Sequence, residues 1–277
     1  RHAAAEQSRG GRGGGGGGGG GGKPPPYLYR VRKVHAEALS RRYAREQYET
    51  MVATATAPAE IEKRWLKYLD FERRSAAPVE SLLALYDRAL TPCALSARIW
   101  WDYTVVLLQA CVTAKADEEA AAAGRSGGSA AARARLSIAR ARAVRNITCS
   151  GPLWSAHVRS CEASAAEDGA EAAIAAVEAA MARALGEQLS TPECYSTLWV
   201  TYLRALMRLH SAANPGAVAP FLSKGLKSMK ELFGNDASSN GGAIVPLLRF
   251  HSDYLEFMAD DLSSSEISAA MSALQQH

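Results

Sequence analysis

Histidine and cysteine are the side chains best suited to chemistry at neutral pH, and the chain carries six of the first and five of the second. The histidines (His2, His35, His157, His210, His251 and His277) show neither HxxxH nor HExxH spacing, so no pair of helical metal ligands is expected. His251 and Asp253 stand two residues apart, which on a helix turns them to different faces and rules out a dyad. The cysteines (Cys93, Cys111, Cys149, Cys161 and Cys194) are odd in number and form no CxxC, so buried free thiols in a reducing compartment are expected rather than a disulfide framework. No GxSxG elbow, P-loop or pair of catalytic carboxylates can be identified. A GxGxxG match falls inside a run of glycines with no strand before it, which excludes a dinucleotide fingerprint. No catalytic, metal-binding or cofactor-binding residue is therefore expected, and the chain reads as a non-enzyme.

Phosphate recognition is the other chemistry open to this composition. Arg133, Arg135, Arg140, Arg142 and Arg145 follow one another with no acid among them. On one helix, such residues either touch nucleic-acid phosphates or pair with acids on neighbouring helices, and pairing is the preferred reading. Arg133, Arg135, Arg140 and Arg145 are the candidate RNA contacts. Across 277 residues, 32 Lys and Arg stand against 28 Asp and Glu, a net charge of +4 that does not announce a nucleic-acid binder. The excess sits early, and a basic face near Arg41-Arg42 is more simply a solvated one. Arg9-Gly10-Gly11 and Arg12-Gly13-Gly14 resemble arginine-glycine RNA-binding segments, but two copies are better explained as a plain linker or insertion. Asn146-Ile147-Thr148 matches a glycosylation sequon, which has no meaning in a nuclear or cytosolic protein.

Alanine dominates the elements that must position these groups, and alternating Val/Ile runs are nearly absent, so an all-α fold is expected. Residues 1–26 are rich in Gly and Pro and cannot bury enough apolar surface to offset their ordering entropy, so disorder is expected there. Residues 27–52 suit one long helix with Leu28, Val31, Val34, Leu39 and Tyr43 as candidate buried positions. The stretches 115–132 and 234–242 read as loops inside a helical domain spanning 27–277. The longest apolar stretch, Ile99 to Ala114, is cut by Asp102 and is too short and polar to cross a membrane.

The informative feature is a repeat. Trp65-x-x-Tyr68-x-x-Phe71-Glu72 is echoed by Trp100-x-x-Tyr103, by Trp154-x-x-His157 and by Trp199-x-x-Tyr202. Each is followed by a second signature in which a basic residue precedes a small one: Arg88-Ala89, Arg142-Ala143, Arg183-Ala184 and Lys224-Gly225. The basic residues are 54, 41 and 41 positions apart, and the first spacing contains the 115–132 stretch. Positions i, i+3 and i+6 or i+7 share a helix face, so each first signature is an aromatic ridge. The small residue on the second helix lets the ridge approach closely. Pro78, Pro192 and Pro215 lie near helix starts, with Thr191 and Asn214 as N-caps, and Glu72 is expected to pair with Arg88. Helix pairs of this kind must stack on one another to bury both faces, which predicts an α-solenoid of antiparallel pairs.

This pattern resembles the half-a-tetratricopeptide (HAT) repeat of eukaryotic RNA-processing proteins. Departures are His157 at the Tyr place, Val106 at the Phe place of the second repeat and Gly225 at the Ala place; a fifth repeat starting at Pro246 lacks Trp and runs out at His277. Within that family, Lys67-Tyr68-Leu69-Asp70-Phe71-Glu72, Arg142 to Asn146 leading into Leu153-Trp154-Ser155, and Thr197 to Leu203 are most similar to the recycling factors of the U4/U6 small nuclear ribonucleoprotein. The resemblance covers about residues 35 to 230. It implies a nuclear scaffold in pre-mRNA splicing whose partners are spliceosomal or other RNA-processing proteins, with RNA association indirect. A U1-associated factor, a 3′-end cleavage subunit and a direct RNA-binding module are the alternatives.

Overall fold

The computed structural model describes residues 26–75, 77–120, 128–210, 215–233 and 249. Within them the secondary structure is helical throughout: α1 (Pro26–Ala53), α2 (Pro58–Arg74), α3 (Val79–Leu90), α4 (Ala97–Ala120), α5 (Gly128–Asn146), α6 (Gly151–Ala165), α7 (Ala170–Gly186), α8 (Pro192–Leu209) and α9 (Ala219–Phe233). Two single turns, Ala166–Asp168 and Pro215–Val218, precede α7 and α9. The contacts divide the chain into a unit ending at Thr54, which holds α1, and a unit beginning at Ala55, which holds the rest. The Gly/Pro-rich arm, the stretch 234–242 and nearly all of the fifth repeat lie outside the described residues, as do Asn214, His251 and Asp253.

Local signals explain the helix ends. Pro58, Pro152 and Pro192 occupy the first turns of α2, α6 and α8, where a missing N–H costs nothing. Ser96 caps α4: its hydroxyl oxygen accepts from the Ile99 N–H at 3.2 Å and its proton goes to Glu62 at 2.6 Å. Gly169, with φ 107°, supplies the left-handed residue that turns the chain into α7. In α2, Glu60 stands in the first turn and Arg73 and Arg74 in the last, each sign at the end of the helix dipole that favours it.

In the second unit each helix packs against the next from α2 to α9, and α6 also packs against α8. The core between them is the ridge expected from the sequence. Trp65, Tyr68, Trp100, Tyr103, Trp154, His157, Trp199 and Tyr202 are all buried, as are Ala89, Ala143, Ala184 and Gly225 on the following helices. A Cβ added to Gly225 would stand 3.0 Å from Trp199 Cε3, so the fourth second helix approaches its tryptophan as closely as a glycine allows. Val106 is buried in the Phe place, whereas Phe71 itself is half-buried. Glu72 is buried.

Two expectations change. Val31, Val34 and Tyr43 are exposed on α1, and Leu28 and Leu39 only half-buried. The physical reason is that Arg32 and Arg42 project from the same side of α1 as Leu28 and Leu39, so the helix has no clean apolar stripe to bury. The second change is at 115–132, where α4 runs on to Ala120 and α5 begins already at Gly128. Alanine carries both ends, and Glu118 of α4 accepts from the Ser129 backbone N–H at 2.8 Å and from its hydroxyl. A carboxylate brought from another helix thereby satisfies an N-terminal N–H of α5.

Candidate functional site

The repeat positions its basic residues in one recurring way. The guanidinium of Arg88 lies over the Trp65 ring at 5.6 Å from the centroid, Arg142 over Trp100 at 5.4 Å and Arg183 over Trp154 at 5.5 Å. Each joins the second helix of a pair to the first as a cation over an aromatic face. The ridge partners meet at 6.1 Å for Trp65–Tyr68, 6.3 Å for Trp100–Tyr103, 5.9 Å for Trp154–His157 and 5.9 Å for Trp199–Tyr202. Tyr86 of α3 stacks on Tyr103 of α4 at 5.5 Å, and its burial pushes the phenol up to about 12. These aromatic groups hold helices together and none is poised to react.

The indole N–H groups of Trp100, Trp154 and Trp199 fall into two kinds. Trp100 Nε1 donates to the Ala94 carbonyl at 2.8 Å and Trp154 Nε1 to the Thr148 carbonyl at 2.7 Å, six residues back in each case. That carbonyl is free because α4 and α6 begin only three residues before their tryptophan. By contrast α8 begins seven residues before Trp199, its residue six back lies inside the first turn, and Trp199 Nε1 is buried without a partner. Trp199→Phe, which removes an unsatisfied donor, should therefore cost about 1–2 kcal/mol less than Trp154→Phe, which strands the Thr148 carbonyl. Chemical denaturation of the two variants checks this.

His157 keeps the ridge place of a tyrosine, buried with its ring edge-on to Trp154 and its Nε2 3.7 Å from Cys161 Sγ. Burial above all, then Arg183 and Arg140, holds its pKa below the ordinary 6.5, while burial raises that of the Cys161 thiol. Both groups are thus neutral at pH 7, and no thiolate–imidazolium pair forms. An unfolded histidine binds a proton below about pH 6.5 and the folded one resists it, so the unfolded state gains protons first. Stability should consequently fall as pH drops below that value, and His157→Phe should remove this part of the slope in urea titrations between pH 7 and 5.

The thiols are less uniformly buried than expected. Cys93 and Cys111 are buried and Cys161 and Cys194 half-buried, but Cys149 is exposed, because it lies in the turn between α5 and α6. Where α6 and α8 begin, Gly151 stands against Cys194, and the Ser190 N–H donates to the Cys149 carbonyl at 2.9 Å. Among the described residues no group of three or more His, Cys, Asp or Glu is placed to hold a metal ion, and no helix is long and apolar enough to cross a membrane.

The arginine series of α5 is dispersed over the helix rather than gathered on one open face. Arg135 donates to Glu80 at 3.0 Å and lies 3.7 Å from Asp87, and Arg142 lies 3.5 Å from Asp87. Asp87 also accepts from the Tyr103 hydroxyl at 3.2 Å, so one carboxylate on α3 gathers side chains from α4 and α5. Arg133 donates to Ser129 at 3.3 Å and Arg140 to Ser160 at 2.8 Å, on the side facing α6. Arg145 is exposed near the end of α5. A bidentate pair, Arg208 with Glu162 at 2.7 Å for both bonds, ties α8 to α6.

Sequence reasoning missed a second apolar face on α4. Trp100 is 1% exposed while its neighbour Trp101 is 40% exposed, and Val105, Leu108 and Val112 continue from Trp101 along one exposed stripe. The signal was present: after the ridge at Trp100, Tyr103 and Leu107 is removed, the apolar residues left over recur at steps of four, three and four. No family model matches the chain, and no curated protein matches it at a significant level.

Proposed function

We propose that this chain is a non-catalytic scaffold of RNA processing, an α-solenoid of stacked antiparallel helix pairs of the HAT type. The observation that carries the reading is the arginine laid over the ridge tryptophan in three consecutive pairs at 5.4 to 5.6 Å. A contact that recurs with the same residue types at the same place is the mark of one structural unit repeated along the chain. Repeats of this kind offer an extended surface to partners. The exposed stripe beginning at Trp101 favours a protein partner over RNA as the primary contact, since exposed contiguous apolar side chains mark protein interfaces.

Within RNA processing, the resemblance at Lys67 to Glu72, Arg142 to Asn146 and Thr197 to Leu203 points to assembly or recycling of the U4/U6 small nuclear ribonucleoprotein in the nucleus. The test is to immunoprecipitate the native full-length protein from nuclear extract and sequence the small RNAs that accompany it. Enrichment of U6 and U4 over U1 is the expected result. Enrichment of U1, or of no small nuclear RNA, would overturn the U4/U6 assignment and move the scaffold to another complex, such as a U1-associated factor or a 3′-end cleavage subunit.

A further inference from the structure

Among the described residues, Arg140 of the α5 series is half-buried yet pairs with no acid. Its Nη1 donates to the Ser160 hydroxyl at 2.8 Å, while its Nε is buried with no hydrogen-bond partner. Burial, and then the like charge of Arg159, pull its pKa below the ordinary arginine value, and the only opposing group is the thiol of Cys111. That thiol is itself kept protonated by burial. Arginine does not surrender its proton near neutral pH, so the guanidinium stays charged and is left without a counter-ion. A half-buried cation that meets only one hydroxyl, with its Nε unpartnered, is left able to take an anion as a further partner.

Beside it lies a cleft of about 380 Å³ between α4, α5 and α6. Arg133, Ser137, Arg140, Ser160 and Ser164 supply its polar lining, Leu108 and Cys111 close it on the α4 side, and no carboxylate lines it. Ser164 donates to Ser137 at 3.4 Å, so both hydroxyls turn toward the same space. The Arg140 guanidinium and three hydroxyls offer what an oxyanion needs, a planar N–H fork and rotatable O–H donors. The volume falls within the usual small-ligand range of about 300–1,000 Å³.

We propose that this cleft binds a single phosphate group, with Arg140 as the charge that receives it and the three serine hydroxyls completing the oxygens' shell. One phosphate rather than a nucleic-acid strand follows from the neighbours. A strand needs a continuous cationic track, and the adjoining Arg135 and Arg142 are turned to Glu80 and Asp87. The same tetrahedral oxyanion is offered by a phosphoserine on a partner protein or by free phosphate.

The experiment is a titration of the full 277-residue chain with inorganic phosphate, with a short phosphoserine peptide and with its unphosphorylated counterpart, at ionic strength held constant with chloride. Melting temperature and ³¹P NMR line width are the readouts. Both phosphate ligands should raise the melting temperature with saturation, by about 2.7 kcal/mol of linked stabilisation at a hundredfold excess over Kd, and the unphosphorylated peptide should not. Arg140→Met should abolish the shift and the line broadening, and Arg145→Gln should leave both unchanged. Should Arg140→Met fail to fold, Ser160→Ala and Arg140→Lys carry the test, each expected to weaken binding by about tenfold. A phosphopeptide that binds more tightly than inorganic phosphate names a modified protein as the source, and equal affinities name free phosphate. The proposal is overturned by no shift beyond chloride, by a shift that survives in Arg140→Met, or by an oligoribonucleotide that binds with a steep salt dependence and is not displaced by the phosphoserine peptide.

Discussion

Trp154→Ala should lower stability by about 3–5 kcal/mol, whereas Trp101→Ala should cost less than about 1 kcal/mol. Trp154 is 1% exposed, stacks edge-on with His157, receives the Arg183 guanidinium and spends its indole proton on the Thr148 carbonyl. Truncation leaves a cavity, an arginine without its aromatic face and a carbonyl without its donor. Trp101 is the same residue type on α4, but 40% exposed and on the stripe away from the ridge. The pair thus separates a core role from a surface one without a change in chemistry. For a unit of this size the first substitution corresponds to roughly 2–4 °C of melting temperature per kcal/mol. Equal losses in a denaturant titration would show that the ridge is not the core.

Gly151→Val is expected to cost about 3 kcal/mol or more, by overpacking instead of by a void. A Cβ at residue 151 would lie 2.5 Å from Cys194 Cβ and 2.7 Å from Cys194 Cα. Neither atom can swing aside, because Cys194 sits in the first turn of α8 and its backbone is fixed by that helix. The starts of α6 and α8 would have to separate, and the bidentate Arg208–Glu162 pair further along the same two helices would open with them. Gly151→Ala should show the same sign at smaller size. Gly225→Ala, facing the more yielding edge of the Trp199 ring at 3.0 Å, should be milder still. Thermal melts of the three variants, ranked, check this order.

The ridge was legible in the sequence because tryptophan at i with tyrosine at i+3 has few other uses on a soluble helix, and because a basic–small pair follows each one. Helix starts were legible where proline or Thr191 marks them. Other features depended on information no single segment holds. Asp87 had no role legible in the sequence, since its meeting with Tyr103, Arg135 and Arg142 depends on residues up to 55 positions away. Periodicity showed that α4 is apolar on two faces but not which face a neighbour covers, so Trp101 was passed over beside Trp100. For α1, apolar spacing alone suggested burial, and the interleaved arginines outweighed it. The length of α4 was underread because alanine, glycine and acid residues suit a loop as readily as a helix end until Glu118 is seen to engage Ser129.

The contacts described for the second unit fall into two classes with different responses to salt. Aromatic stacking, within pairs and at Tyr86–Tyr103 between two of them, and the arginine–tryptophan contacts are largely short-range and shielded. Between pairs, Asp87 with Arg135 and Arg142, and Glu162 with Arg208, are ion pairs with at least one well-exposed partner, and dissolved ions screen them readily. Raising ionic strength therefore weakens these exposed ion pairs of the second unit while leaving its aromatic contacts in place, so salt sets how firmly neighbouring helices are tied separately from the melting of the core they enclose.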